Sequence, residues 1–412
     1  MLKKLILENW KSFRYAELPI DPVTVVIGTN SSGKSNVVEA LEFLIRVVKG
    51  SEIKAALGGD STIPSLRGGV EWAALHPQSY FTLKVLVQGE DNHTDYLYSI
   101  TVQTKPSVRV IQEGIARQSY QQEDQSDALL TDLIKAYIKA TEGVQIEVEL
   151  YGRQFFYFPK YWNNYQSILL QLKGLALNDK MFWVIWYIGR AIENIFILNP
   201  IPDKMRNYSP LSDSLESDAS NIAGVLAALT DEQKAEFEST VSDYGEHLPE
   251  RDIQKVWAEP VGRLGTDAML YCQEQWKSGE ITEIDARSLS DGTLRFLAII
   301  TALLTRPEGS QLVIKEVDQG LHPSRLEVLL RLAKQIGEKR KIDIVVTTQN
   351  PSLLEVLEPQ RIPFVIVAHR DSDTGESKLT MLESIEYFPK LFASALLGKL
   401  TSNGGIERNI FS

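Results

Sequence analysis

A chain of 412 residues and 46.3 kDa, 43% hydrophobic and 24% charged, can bury a large core, and its length suits roughly two to three domains or one large domain with an insertion. This composition excludes a disordered, collagen-like or disulfide-framed protein, and one cysteine, Cys272, can by itself form neither an internal disulfide nor a multi-thiolate metal site, which fits a reducing compartment. A net charge of −11 argues against non-specific nucleic-acid binding by the whole surface. The longest apolar run, Met181–Ile188, is far shorter than the ~20 residues of a membrane span. Met1–Glu8 lacks the apolar stretch of a secretion signal, so the expected location is cytoplasmic, with no membrane partner.

Leu2, Leu5, Ile6 and Leu7 alternate with polar positions ahead of a turn at Asp21-Pro22. Val23–Ile27 is a β-branched run of the kind buried on both faces of a parallel sheet. It leads into a glycine-bounded loop, after which Val37, Val38, Leu41, Leu44 and Ile45 recur at helical spacing. Residues 51–70 read as loop, and the alternation over Tyr80–Gln88 and Tyr96–Thr104 predicts a hairpin. Gln145–Leu150 and Gln154–Phe158 predict strands, residues 127–141 and 178–195 helices, and Asn199–Ser220 a loop. Beyond Ser288 the expectation is a helix over 292–305, buried strands at Gln311–Ile314 and Ile342–Thr348 around a helix Ser324–Ile336, and a third strand Phe364–Ala368. A hairpin to Lys378–Leu382 and a closing helix near 388–399 follow. Strand alternating with helix argues for an α/β fold on a mainly parallel sheet, with the middle of the chain inserted into it. The expected division is an N-terminal lobe over 1–110, an inserted, mainly helical partner-docking region over 111–200, and a C-terminal lobe over 201–412.

Gly28-x4-Gly33-Lys34-Ser35, with strand before and helix after, has the form of a phosphate-binding loop. Its glycines let backbone N–H groups curl around an anion at a helix N-terminus, and the candidate nucleotide contacts are Gly28, Thr29, Asn30, Ser31, Ser32, Gly33, Lys34, Ser35 and Asn36. Lys34 reaches the β/γ-phosphates in this motif, and the Ser35 hydroxyl ligates Mg²⁺.

Two later segments narrow the class. Leu289-Ser290-Asp291-Gly292-Thr293-Leu294-Arg295 precedes an apolar helix, and its small polar pair suits anion binding at a helix start. Leu312-Val313-Ile314-Lys315-Glu316-Val317-Asp318-Gln319-Gly320-Leu321-His322-Pro323 follows after an interval that fits one helix. These resemble the Leu-Ser-Gly-Gly-Gln signature and the Walker B region of ABC-type ATPases allied to the RecF, SMC and OLD proteins. Leu5–Phe13 looks like that group's opening strand, while Arg206–Ser209 and Ser220–Ala223 resemble stretches of its predicted-ATPase branch. The likeness is carried by the two ends of the chain and is weak in between.

The resemblance implies a P-loop NTPase of the ABC/RecF-like type, a mixed, mainly parallel sheet with helices and an inserted α+β lid or partner-docking region. It implies that Ser290 and Gly292 meet the γ-phosphate of ATP held by another copy, so that the chain forms a homodimer or higher oligomer around ATP. Glu316 takes the place of the catalytic base, and Asp318 that of the second acidic position, a candidate Mg²⁺ ligand beside Ser35. The sequence departs from the pattern twice. Lys315 stands where the metal-linked carboxylate is usual, and Gln349 stands in place of the switch histidine, where its amide can sense a γ-phosphate but cannot take a proton. Slow hydrolysis, with ATP acting partly as a dimer clamp, is the expectation.

The remaining candidates carry less chemistry. Phe155–Phe158 with Tyr161 and Trp162 reads as core or interface rather than a base-stacking platform, Met181–Tyr187 as a buried helix, and His76 and His93 as solvated. Arg67 and Arg206 are candidates for phosphate or inter-subunit contacts. OLD relatives carry a nuclease domain beyond the ATPase, and too little chain follows Gln349 for one here. The leading expectation is therefore an ATP-gated sensor or scaffold for a separately encoded effector, a nuclease or toxin, in anti-phage defence. The rivals are a DNA-repair or chromosome-maintenance ATPase that binds nucleic acid directly, and a non-hydrolysing interaction module.

Overall fold

A computed structural model describes residues 1–120, 128–141, 143–150, 154–157, 163–172, 179–247, 253–277, 280–321, 323–350, 353 and 364–385. The chain begins β1 (Leu2–Trp10), β2 (Phe13–Pro19), β3 (Val23–Ile27), α1 (Lys34–Val48), α2 (Ile53–Gly58), β4 (Tyr80–Gln88), β5 (Thr94–Gln103) and β6 (Arg109–Tyr120). It continues β7 (Ala128–Thr141), β8 (Gly143–Leu150), β9 (Gln154–Tyr157), α3 (Ile168–Leu172), α4 (Asp179–Glu193), β10 (Ile195–Leu198), α5 (Pro202–Met205), β11 (Ser209–Pro210), α6 (Ile222–Ala228) and α7 (Asp231–His247). The last part holds β12 (Ile253–Val261), β13 (Asp267–Lys277), β14 (Glu280–Asp285), α8 (Asp291–Thr305), β15 (Gln311–Ile314), α9 (Pro323–Arg340), β16 (Asp343–Thr348), β17 (Val365–Arg370) and β18 (Ser377–Met381). These elements fall into two discontinuous units, one of Met1–Ile20, Thr29–Ile195 and Ala368–Thr380, the other of Asp21–Gly28, Phe196–Val367 and Met381–Ser412.

The first unit is built on an antiparallel sheet in the order β2-β1-β4-β5-β6-β7-β8-β9. Period-two patterning turns Leu5 and Leu7 of β1 fully inward. At the end of β1, Trp10 meets Phe81 edge-on at 4.8 Å, and Phe81 meets Phe43 of α1 at 5.5 Å. Trp10 Nε1 also donates to the Asn36 carbonyl at 2.7 Å, which ties the first strand to the first turn of α1.

The second unit carries a sheet in the order β10-β15-β16-β3-β17, in which β15–β16, β16–β3 and β3–β17 pair in parallel. All five residues of β3, all four of β15 and all six of β16 are buried, β-branched and aliphatic runs headed in β15 by Gln311 and in β16 by Asp343. A second, antiparallel sheet pairs β12 with β13 and β13 with β11 and β14, and turns Val256, Leu270 and Cys272 into the core with α6.

Several expectations are corrected. Residues 127–141, read as a helix, form β7, which pairs with both β6 and β8. Leu129, Leu130, Leu133, Ile134, Tyr137 and Ile138 do repeat at helical spacing, but two neighbouring ladders and the β-branched Thr131, Ile134, Ile138 and Thr141 decide for a strand. The stretch 111–200 is consequently not mainly helical, since most of β6 and all of β7 to β9 precede α3 and α4. Within 51–70, Ile53, Ala56 and Leu57 are buried at helical spacing and form α2. The helix containing Met181–Tyr187 buries Val184, Ile185 and Ile188 but leaves Phe182 and Trp186 exposed. The closing helix near 388–399, together with Phe158, Tyr161 and Trp162, lies outside the described residues. Among the described residues no helix is long and apolar enough to cross a membrane.

Asp343, at the buried start of β16, gives the second unit a titration of its own. Burial, reinforced by the negative charge of Asp21, pushes its carboxyl from 3.8 up to about 6. A raised folded value means that the native state holds the proton more tightly than the unfolded chain. The stabilisation is complete below about pH 4 and is lost as the pH rises through about 6. Asp343→Asn is expected to flatten this pH dependence and to stabilise the protein by roughly 1–3 kcal/mol at pH 8. Denaturant titrations of both proteins at pH 5 and pH 8 check it, and a variant less stable than wild type at pH 8 would contradict the assignment.

Candidate functional site

The phosphate loop leaves β3 at Gly28, whose N–H donates to the Thr348 carbonyl of β16 at 3.3 Å. Thr29, Asn30 and Ser31 are exposed, Ser32, Gly33 and Lys34 buried, and Ser35 and Asn36 half-buried. Two left-handed residues curl the loop, Ser31 at φ 66° and Gly33 at φ 113°. At Gly33 only glycine fits, because a Cβ would lie 2.7 Å from Phe13 Cζ and 2.8 Å from Ser377 Oγ. Lys34 Nζ donates back to the Thr29 carbonyl at 2.7 Å, and Arg370 Nε donates to the Ser31 carbonyl at 3.0 Å. Ser12 Oγ accepts from Asn36 Nδ2 at 2.8 Å and lies 2.8 Å from Ser377 Oγ, which braces the first turn of α1.

Gly33 caps α1 without any side-chain hydrogen bond to the helix start, and its carbonyl accepts from the Asn36 and Val37 N–H groups at 2.9 and 3.2 Å. Ser32 Oγ is buried with no hydrogen-bond partner among the described residues. This donor set fits the terminal phosphates of a nucleotide, and the Ser35 hydroxyl supplies an oxygen suited to Mg²⁺, which keeps much of its shell as water and phosphate. Arg67 Nε pairs with Glu39 at 2.7 Å, and its Nη2 lies 3.4 Å from Asn36 Oδ1, so this exposed guanidinium stands over the first turns of α1.

The second unit gathers the remaining motifs at the carboxyl ends of its parallel strands, where α/β sheets place ligands. Ile314 of β15 pairs with Val346 of β16, and Thr348 pairs with Ile27 of β3. The loops that begin at Lys315, Gln349 and Gly28 therefore leave neighbouring strands on the same side. Glu316 is held in the left-handed region at φ 47°, its N–H donating to Thr347 Oγ1 at 3.0 Å while the Val317 N–H donates to the Thr347 carbonyl at 3.0 Å. A residue of this kind with positive φ is uncommon and is sustained here by two bonds from β16. Half-buried Lys315 is fixed through its N–H to the Leu198 carbonyl at 3.0 Å. Asp318 Oδ1 is buried and without a hydrogen-bond partner among the described residues, an acceptor set for a cation or a water. Gln349 is exposed just past the end of β16.

The signature segment is the N-terminus of α8. Ser290 caps it, its Oγ accepting from the Thr293 N–H at 3.1 Å. A Cβ on Gly292 would come within 2.4 Å of the Gly320 carbonyl, so the turn lies directly against the Walker B loop. Arg295 lies between the two. Burial pulls its guanidinium below the usual arginine range, and the charges of Asp291, Glu316 and Asp318 oppose that shift. The structure thus brings Ser290, Gly292, Glu316 and Asp318 to one side of the second unit. Sequence reading missed Arg295, Thr347, Arg370, Ser12 and Ser377. The partners of Thr347, Arg370, Ser12 and Ser377 lie far along the chain, and the local signal was the position of Arg370 and Thr347 at the ends of buried strands.

Comparison with known proteins bears on both stretches. The family model described as "AAA ATPase domain" matches residues 1–143, and that described as "AAA domain, putative AbiEii toxin, Type IV TA system" matches residues 164–355. No curated protein matches the chain. Among solved structures, an SMC head bound to the C-winged helix domain of ScpA is similar over 94% of this chain and 99% of its own, with a TM-score of 0.50 at 15% identity. The SMC head domain from Thermotoga maritima follows over 92% and 98%, with a TM-score of 0.43 at 14% identity. The Pyrococcus furiosus head with an extended coiled coil follows over 95% and 99%, at 0.48 and 12%. At such identities only the first score carries weight, and it speaks for the fold. The two matched stretches, both described as AAA domains, and the SMC-head-like fold agree with the motifs in supporting an AAA/ABC-type P-loop ATPase of the SMC, RecF and OLD type.

Proposed function

We propose that this ATPase closes as a homodimer, or a higher oligomer built from it, around ATP, and that the closed form is the sensor or scaffold for a separately encoded effector, a nuclease or toxin, in anti-phage defence. The observation that carries the reading is that one chain holds one phosphate loop, Gly28–Ser35, and one capped signature turn at Ser290. Each copy therefore has half of each composite site, and two copies complete what one cannot. Two comparisons support a partner: the similar SMC head is seen with a domain of ScpA, and the model over 164–355 is described by a toxin of a toxin–antitoxin system.

In this reading Lys34 and the loop N–H groups hold the β/γ-phosphates, while Ser290 and Gly292 of the second copy close on the γ-phosphate. Ser35 and Asp318 are the residues that would hold Mg²⁺, whose chemistry there is to offset phosphate charge. Glu316 polarises the attacking water, and the Gln349 amide reports the γ-phosphate. Lys315 brings positive charge where a carboxylate is usual, which weakens metal binding and slows turnover.

Glu316→Gln is expected to lower ATP turnover by about 10²–10⁴-fold while nucleotide binding persists. Turnover equal to wild type would remove Glu316 from the mechanism. Lys315→Asp is expected to raise turnover, and no gain would show that Lys315 is not what limits the rate. Gly33→Ala combines a clash with Phe13 and a strained φ that costs roughly 1–3 kcal/mol, so titration with a fluorescent ATP analogue is expected to show binding weakened about tenfold or more. Purification with ATP, with and without the products of neighbouring genes, followed by mass measurement tests the partner: a monomer in every condition contradicts the proposal, as does an ATP-dependent shift of duplex DNA at physiological salt in place of a protein partner.

A further inference from the structure

The signature turn carries a charge that works against its role. Asp291, the first residue of α8, is exposed and acidic at a helix N-terminus that has to receive phosphate. Like charges there repel, and Arg295, which lies in the field of Asp291, Glu316 and Asp318, is one cation near it. A second cation comes from outside both motifs. Half-buried Arg206, just past α5, donates from Nη2 to Asp291 Oδ1 at 2.5 Å and to the Leu289 carbonyl at 3.1 Å. Its Nη1 donates to Asp203 at 3.1 Å, and that carboxylate is almost fully exposed. One planar guanidinium thus grips the backbone on one side of Ser290 and the carboxylate on the other, a geometry that a lysine cannot reproduce.

We infer that Arg206 is a positioning residue that neutralises Asp291 and sets the Ser290 turn so that its hydroxyl and N–H groups can meet a phosphate. The inference rests on the reading that this turn closes on ATP held by a second copy. Arg206 itself touches no nucleotide in this account, and its effect passes through the turn.

The test uses the full chain with Arg206→Gln, which keeps a donor for the Leu289 carbonyl but removes the charge, and with the double variant Arg206→Gln/Asp291→Asn. Arg206→Gln is expected to lower both kcat and the fraction of dimer formed with a slowly hydrolysed ATP analogue by roughly 10- to 100-fold. Affinity of the isolated chain for a fluorescent ATP analogue should change by less than about twofold, because Lys34 and the phosphate loop are untouched. Adding Asp291→Asn is expected to restore most of the dimer, a recovery that loss of packing alone would not give. Wild-type turnover in Arg206→Gln, or a defect that Asp291→Asn fails to relieve, overturns the inference. Ser290→Ala separates the two levels. If it dimerises and turns over as wild type, the signature reading itself falls; if it fails while Arg206→Gln does not, only the role of Arg206 falls.

Discussion

The pairing of β3 between β16 and β17 is the constraint on which the second unit turns. Val23–Ile27 is buried along its whole length and has a parallel neighbour on each side. Its register therefore fixes where Gly28 emerges. A slip of one residue would break the bond from the Gly28 N–H to the Thr348 carbonyl and reverse the side on which each β3 residue packs. The same ladders set the heights at which the Glu316 and Gln349 loops leave β15 and β16. The chemistry is thus placed by backbone pairing among apolar strands, and the polar groups are carried on the loops that those strands release.

The Walker B loop shows what such placement costs and what holds it. Glu316 stands in a backbone conformation that side chains seldom adopt, kept there by bonds from Glu316 and Val317 to Thr347. Asp318 presents a buried oxygen with no hydrogen bond among the described residues, and Arg295 sits within the field of both carboxylates. These features set the segment apart from a plain connection, which would settle into ordinary turns with its polar atoms satisfied.

Much of this was legible in the sequence because local patterning and tertiary demand agree. Gln311–Ile314 is read as a strand and is one, and Ile342–Thr348 differs from β16 by a single residue at its start. The phosphate loop announces itself through glycine spacing between a strand and a helix, and Gly33 has the φ that such spacing implies. Legibility failed where periodicity is ambiguous. Residues 128–141 satisfy a helical repeat and a strand composition at once, and pairing with β6 and β8 settles the matter. It failed again in α7, where Phe237 and Val241 are buried in a segment otherwise rich in charge, a weak helical stripe. Contacts such as Ser12 to Ser377 or Arg206 to Asp291 join residues too distant along the chain for spacing to reveal them.

The close approach of Gly292 to Gly320 has a consequence for how this protein can vary. The atom that would obstruct a side chain at 292 is the main-chain oxygen of Gly320, and Gly320 itself has φ 75°. A main-chain oxygen cannot be trimmed by mutation, so no exchange at 320 makes room at 292, and a larger residue at 320 only adds strain. Each position is therefore expected to resist substitution, and a change at one does not relieve a change at the other. A lineage that lost one would have to rebuild the whole junction, so drift is expected to leave this junction unchanged while the surrounding loops diverge.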